Sequence, residues 1–280
     1  MQADVEGRAS EGAIDEGRLR QGPADEGGAA PIASFFDEEA ARYEAAFEDP
    51  GPGGQALRSR QASVLDLAGS GPGKALDAGM GPGRLCADLA ARGWTVHGVD
   101  ASAAMVAAAR ARLPAAADRL VQSPIERLPF PERSFDLATA TGVLEFLEDV
   151  PAALGELARV LRPGGLAVVT TPNPVSPFGL WRRGLWYPGL RSTKALLRLP
   201  RPPRPKRPAP LGRRRLLREL KAAGLRPERH AWASYQIALT PLDELLPAPS
   251  ARLAKWLERR ARWTGPLLAT QLVVAARRER

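Results

Sequence analysis

The chain of 280 residues has one cysteine, Cys86, two histidines, three methionines and three tyrosines. A lone thiol makes no internal disulfide, and with two histidines it falls short of the ligand sets of zinc or iron–sulfur centres. Cys86 therefore reads as a small buried residue on an apolar helix face. Long uncharged apolar runs are also missing, so no segment reads as membrane-spanning. The amino terminus is acidic where a secretory signal would be basic and then apolar, and the expectation is a cytoplasmic protein. From Met1 to about Ala30 bulky residues are scarce while Gly, Glu, Asp and Ala abound. Such a stretch buries too little to order itself, and 1–30 reads as a disordered acidic tail. Acids are the minority sign overall, 31 against 40 bases, for a net charge of +9.

What remains supports one substantial core. With 44% of residues apolar, 31–280 reads as a single domain. Its most informative stretch is Ala75-Leu76-Asp77-Ala78-Gly79-Met80-Gly81-Pro82-Gly83-Arg84, followed by Val96-His97-Gly98-Val99-Asp100. An apolar strand enters a glycine turn, a helix runs from Arg84 to Ala91, and a second strand ends on an acid. Residues without a Cβ let such a loop turn tightly and bring its backbone close to a ligand. The free amides at the start of the helix favour an anion. Asp100, at the carboxyl end of the second strand, is placed to accept hydrogen bonds from vicinal ribose hydroxyls. The similar stretch Asp66 to Gly73 runs into a strand and reads as a helix end capped by Gly69, then a turn.

Spacing separates the ligands that such a cradle serves. A dinucleotide fingerprint wants its third glycine where Arg84 stands, which weakens a nicotinamide-dependent oxidoreductase. A phosphate-binding P-loop needs a hydroxyl residue after Gly73-Lys74 and an earlier glycine, and both are missing. An acid two residues before the first glycine, with glycines at 79, 81 and 83, resembles the class I S-adenosylmethionine-dependent methyltransferases, in particular those of ubiquinone and menaquinone biosynthesis.

Further stretches carry the resemblance. Ser34 to Phe47 has Phe36, Ala40, Tyr43 and Phe47 at helical spacing. The family's N-terminal helix starts on phenylalanine-aspartate and caps the cofactor, a role the resemblance gives to Tyr43. It places Met105 beside the adenine and brackets the ring with Ser123 and the amide of Ile125. Pro124 stands where relatives commonly carry an aspartate. The implied cofactor contacts are Asp77, Ala78, Gly79, Gly81, Gly83, Asp100, Ala101, Met105, Ser123, Ile125, Thr141 and Tyr43, with S-adenosyl-L-methionine as cofactor. After strand four, Val143-Leu144-Glu145-Phe146 keeps an acid but has phenylalanine in place of the family's histidine. Glu145 is thus the candidate general base, against a structural reading as a solvated glutamate at a helix start. His97 and His230 read as packed strand residues. A sulfonium methyl is already activated, so alignment and exclusion of water do most of the work.

Strand and helix patterns alternate through Thr171, which predicts an α/β, doubly wound, mostly parallel seven-stranded sheet with an N-terminal cap helix. Helices over Leu211–Leu225 and Ser250–Trp263 and strands over Pro227–Tyr235 and Thr270–Ala276 complete it. The basic charge concentrates between Asn173 and Arg229, where sixteen Lys and Arg face only Glu219 and Glu228. Within it, 174–210 reads as a basic, proline-rich lid insertion. Tryptophan, leucine and arginine interleaved there suit a helix lying in a membrane interface, which favours a hydrophobic small-molecule or lipid-like acceptor and peripheral contact with the inner face of a membrane. RNA binding through the same residues is the competing reading, without the asparagine- or aspartate-proline-proline signature of base methylation after strand four. A non-catalytic adaptor with a degenerate cradle is the third. Trp256 and Trp263 face either the core or a membrane.

Overall fold

The computed structural model describes residues 30–181, 211–236 and 247–280. Of the expected tail, 1–30, all but Ala30, which begins the first helix, lies outside the described residues, as does 182–210 of the expected lid, 174–210.

Two helices open the fold, α1 (Ala30–Glu48) and α2 (Pro52–Ala68). Strand β1 (Gly73–Ala78), α3 (Arg84–Ala91), β2 (Trp94–Asp100), α4 (Ala103–Arg112) and β3 (Leu120–Gln122) follow. Then come β4 (Phe135–Ala140), α5 (Val150–Val160), β5 (Leu161–Pro172) and the short α6 (Pro177–Trp181). The carboxyl-terminal part holds α7 (Arg213–Ala222), β6 (Leu225–Ala233), α8 (Pro247–Glu258), α9 (Ala261–Leu268) and β7 (Gln271–Arg278). The seven strands form one sheet in the order β3-β2-β1-β4-β5-β7-β6, all parallel except β7, which runs against both neighbours.

The period of two along a strand assigns its residues to opposite faces. Leu76 and Ala78 pack with Leu154 and Leu157 of α5 and Leu216 and Leu220 of α7. Ala75 and Val96 pack on the other face with Val64 and Leu67 of α2 and Leu85 and Leu89 of α3. Strand order reverses between β1 and β4, so the loops after them diverge and leave a crevice at the carboxyl edge. That crevice is where the site lies.

Two boundaries differ from the sequence pattern. Arg162-Pro163-Gly164-Gly165 does not precede β5 but lies within it: Leu161 already pairs with Phe135, and the register slips before Leu166 pairs with Leu137. The four residues form an irregularity that keeps the strand paired at both ends. The helix expected over Ser250–Trp263 is two, because the Arg260 amide bonds the Leu257 carbonyl at 2.8 Å and closes a tighter turn there. Among the described residues no helix is long and apolar enough to cross a membrane.

Candidate active site

The glycine loop takes the conformation its composition demands. Gly79, Gly81 and Gly83 all have φ between 53° and 76°. A Cβ at Gly79 would come within 2.8 Å of the Val143 side chain, whereas one at Gly81 would meet nothing within 4 Å. The first glycine is needed for packing and the second leaves the backbone open to the crevice. Val99 ties the loop down, its carbonyl accepting from the amides of Gly79 at 2.8 Å and Met80 at 2.9 Å.

Asp100 organises the neighbouring wall. Its Oδ2 accepts from the Gly81 amide at 2.8 Å and its Oδ1 from the Ser102 amide at 2.9 Å. Burial raises its pKa, and those two amides hold the rise back. Ser102 caps α4 by accepting from the Met105 amide at 3.1 Å, which fixes Met105 on the wall. A cavity of about 430 Å³ opens here.

Nine of the expected cofactor residues line that cavity: Tyr43, Gly79, Gly81, Asp100, Ala101, Met105, Ser123, Ile125 and Thr141. Asp77, Ala78, Gly83 and Glu145 do not. Asp77 lies under the loop, 2% exposed. There it accepts from the Thr139 hydroxyl at 2.7 Å and from the Cys86 thiol at 3.7 Å. Burial pushes its carboxyl to about 6 despite those two bonds. Asp77 thus stands beneath the loop, covered by α3, whereas Asp100 stands on the cavity wall.

Glu145 is likewise absent from the cavity lining. It sits in a short 3₁₀ turn, Leu144–Phe146, where residues three apart eclipse one another. Val143 and Phe146 share the side that lines the cavity, and Glu145 points elsewhere. His97 is buried between Phe130 and Phe135, and burial lowers its pKa to about 4, a neutral packed residue as the sequence implied.

Helix α1 covers the site. Asp37 accepts from the Ser102 hydroxyl at 2.5 Å and the Ala104 amide at 3.1 Å, and so latches α1 to the start of α4. Glu44 pairs with Arg84 at 2.8 Å and also with Arg112. Phe36 of α1 meets Phe146 edge-on, ring centres 5.1 Å apart, and both line the cavity. The acids Glu126, Glu148 and Asp149 also line it.

Sequence reasoning missed Arg60. This residue of α2 is buried, and its Nη2 donates to the Tyr43 hydroxyl at 3.3 Å. Its Nε has no hydrogen-bond partner among the described residues, nor does the buried Thr141 Oγ1. Gly142 allows the approach, since a Cβ there would lie 2.8 Å from Arg60 Nη1. A buried cation beside an unsatisfied hydroxyl makes a corner that a carboxylate completes. The available signal was an arginine at a core position, since Arg60, Val64 and Leu67 share one helical face. Among the described residues no cluster of His, Cys, Asp or Glu could hold a metal ion.

Comparison with known proteins agrees with this geometry. Residues 76–169 match a family model described as a methyltransferase domain. A demethylmenaquinone methyltransferase of Beutenbergia cavernae is 38% identical over 151 residues, 52% of this chain and 61% of that one. A malonyl-[acyl-carrier protein] O-methyltransferase of Serratia marcescens is 35% identical over 141 residues, 50% of this chain and 52% of that one. The chain thus spans somewhat over half the length of these curated relatives. Among solved structures, 1,6-didemethyltoxoflavin-N1-methyltransferase of Burkholderia thailandensis, with bound S-adenosylhomocysteine, shares the fold. Its TM-score is 0.57 at 19% identity, with 90% of this chain and 89% of that one covered.

Proposed function

We propose, from the match of residues 76–169 to a methyltransferase domain, that this protein is a class I S-adenosylmethionine-dependent methyltransferase that transfers a methyl group to a hydrophobic small molecule or lipid-like acceptor. The observation that carries the reading is the pairing of an open Gly81 backbone with the half-buried Asp100 carboxylate on one cavity wall.

The residues present fit S-adenosyl-L-methionine. Asp100 would take the ribose hydroxyls, with Gly79, Gly81 and Ala101 as backbone surface beside it. Met105 and the buried Ile125 would flank the adenine. Ser123 contributes through its main chain, since its hydroxyl donates to the Arg127 carbonyl at 2.8 Å. The corner of Arg60, Tyr43 and Thr141 would hold the methionine carboxylate. Asp77, Ala78 and Gly83 would act by shaping the loop. When bound, the cofactor supplies a methyl group on a positively charged sulfur, already activated towards nucleophiles.

This chain's own residues then align and exclude water. Phe36, Val143, Phe146 and Leu147 form an apolar wall suited to a hydrophobic acceptor, and α1 closes over it. A base, where the acceptor needs one, would come from Glu126, Glu148 or Asp149 on the lining, in place of Glu145. Peripheral membrane contact through 174–210 would bring such an acceptor to the site.

Calorimetry with S-adenosylmethionine, S-adenosylhomocysteine and NADH tests the reading. Binding of both sulfur compounds and not of NADH is the expected result, followed by transfer of labelled methyl to a membrane lipid extract. Binding of NADH alone would replace the methyltransferase with an oxidoreductase, and binding of none would leave an adaptor.

A further inference from the structure

We propose that the outer face of α8 and α9 is a docking surface for an anionic lipid bilayer, separate from the cavity and from 182–210. The two helices are amphipathic in a particular sense. On α8, Ala254 and Leu257 are buried in a small core with Tyr235 and Ala269. On its outer side Leu253 and Trp256 are 45% and 44% exposed. On α9, Gly265 is pressed against Trp232, where a Cβ would lie 2.3 Å from the indole. Trp263 and Leu267, four residues apart and so on one side, are 80% and 68% exposed. The helices are held firmly on one side and present large apolar groups on the other.

Charge decides what fits this face. Arg252 and Lys255 on α8, and Arg259 and Arg260 in the turn that joins it to α9, are all exposed. Glu258 is the sole acid between 247 and 268. The Arg260 guanidinium lies 4.0 Å from the centre of the Trp256 ring, an arginine stem and head spread along an aromatic surface. A second copy of this chain would bring these cations against one another. A nucleic acid would use the indoles but leave Leu253 and Leu267 in water. An anionic bilayer satisfies all of it, with leucine and indole at the acyl boundary and cations at phosphates.

The topology gives the surface a use. Strands β5 and β6 run to Pro172 and Ala233, both paired with Gln271, where β7 begins. Helix α6 leaves β5 at that edge and α9 enters β7 there, so both hang from the carboxyl edge that carries the cavity. Asn173 ties them together, its Nδ2 donating to the carbonyls of Pro266 at 3.2 Å and Ala269 at 2.9 Å. Val175 and Leu180 add exposed apolar groups beside α9. A bilayer on this face would meet helices that leave the same edge of the sheet as the cavity.

Vesicle flotation of the full chain tests the proposal, using phosphatidylcholine alone and phosphatidylcholine mixed with phosphatidylglycerol. Recovery on the anionic vesicles should exceed that on neutral ones by at least about tenfold. The double variants W263S/L267S and R259Q/R260Q should each lower it by about tenfold while keeping the wild-type melting temperature. Undiminished recovery in both variants, or recovery indifferent to lipid charge, would overturn the proposal. So would a concentration-dependent dimer that W263S/L267S abolishes, since the face would then belong to a second copy.

Discussion

Asp77 and Asp100 lie at the carboxyl ends of neighbouring parallel strands, the one next to last and the other last, yet the regions around them are built on opposite terms. Beneath the glycine loop, Asp77 is enclosed by Thr139 and Cys86 and costs the fold stability while its charge persists. In the cavity, Asp100 spends two bonds on backbone amides and keeps lone pairs towards open space. One carboxylate shapes the cradle and the other belongs to what the cradle holds. The same residue type near the carboxyl ends of adjacent strands, in register with Gly98 in one case and last in its strand in the other, thus divides between support and recognition according to what covers it.

The largest expected effect breaks this comparison from below. Burial raises the Asp77 carboxyl from 3.8 to about 6. A raised acid binds its proton more tightly in the folded state, so stability from this group is complete below about pH 4 and declines as pH rises through about 6. Two pKa units correspond to about 3 kcal/mol at neutral pH. Asp77→Asn should flatten that slope, gaining up to about 3 kcal/mol at pH 7, less whatever the altered bonds to Thr139 and Cys86 cost. Urea unfolding at pH 4 and pH 7 measures it. An equal stability difference between variant and wild type at both pH values would remove the buried charge as the cause.

The second effect breaks the comparison from above. Asp100→Ala should weaken S-adenosylmethionine binding by about 1 to 3 kcal/mol, roughly tenfold to a hundredfold, as charge-assisted bonds are lost. Its unfolding free energy should show no new dependence on pH between 4 and 6. Calorimetric titration checks the first statement, and an unchanged affinity in the folded variant would take ribose recognition away from Asp100.

How far the sequence disclosed these roles follows from the same contrast. Apolar periodicity and the order of turns disclosed the alternating strands and helices, because tertiary burial and local pattern agree there. Glycines at 79, 81 and 83 disclosed the loop, since their positive φ is a backbone requirement. Asp100 was legible because it is the last residue of its strand and nothing follows to cover it. That Asp77 would be covered was not legible, because the spacing of the motif says nothing of Cys86 arriving above it from α3. Glu145 stayed open between base and structural residue because a three-residue turn sets side-chain direction at a period no longer pattern reveals. Arg60 went unread because helical periodicity shows which face is buried, not that a cation on it reaches Tyr43, a residue of the cavity wall.

The smallest effect sharpens the comparison by asking which of the two regions α1 serves. Apart from Tyr43 on Arg60, its polar contacts described above fall on residues of α3 and α4: Asp37 on Ser102 and Ala104, Glu44 on Arg84 and Arg112. These are half-exposed pairs, each worth about 0.2 to 1 kcal/mol and screened by salt. Asp37→Ala should therefore lower cofactor affinity by no more than about 1 kcal/mol, through loss of a cap on α4 as well as of the latch. Glu44→Gln should do less, and its deficit should fade in high salt, while the Asp37 effect, carried by hydrogen bonds, largely persists. Since neither Asp37 nor Glu44 bonds Asp77, Thr139 or Cys86, neither variant should alter the pH dependence that Asp77 imposes. If Asp37→Ala did alter it, the two regions would be coupled through the loop, and support and recognition would not be separable in this fold.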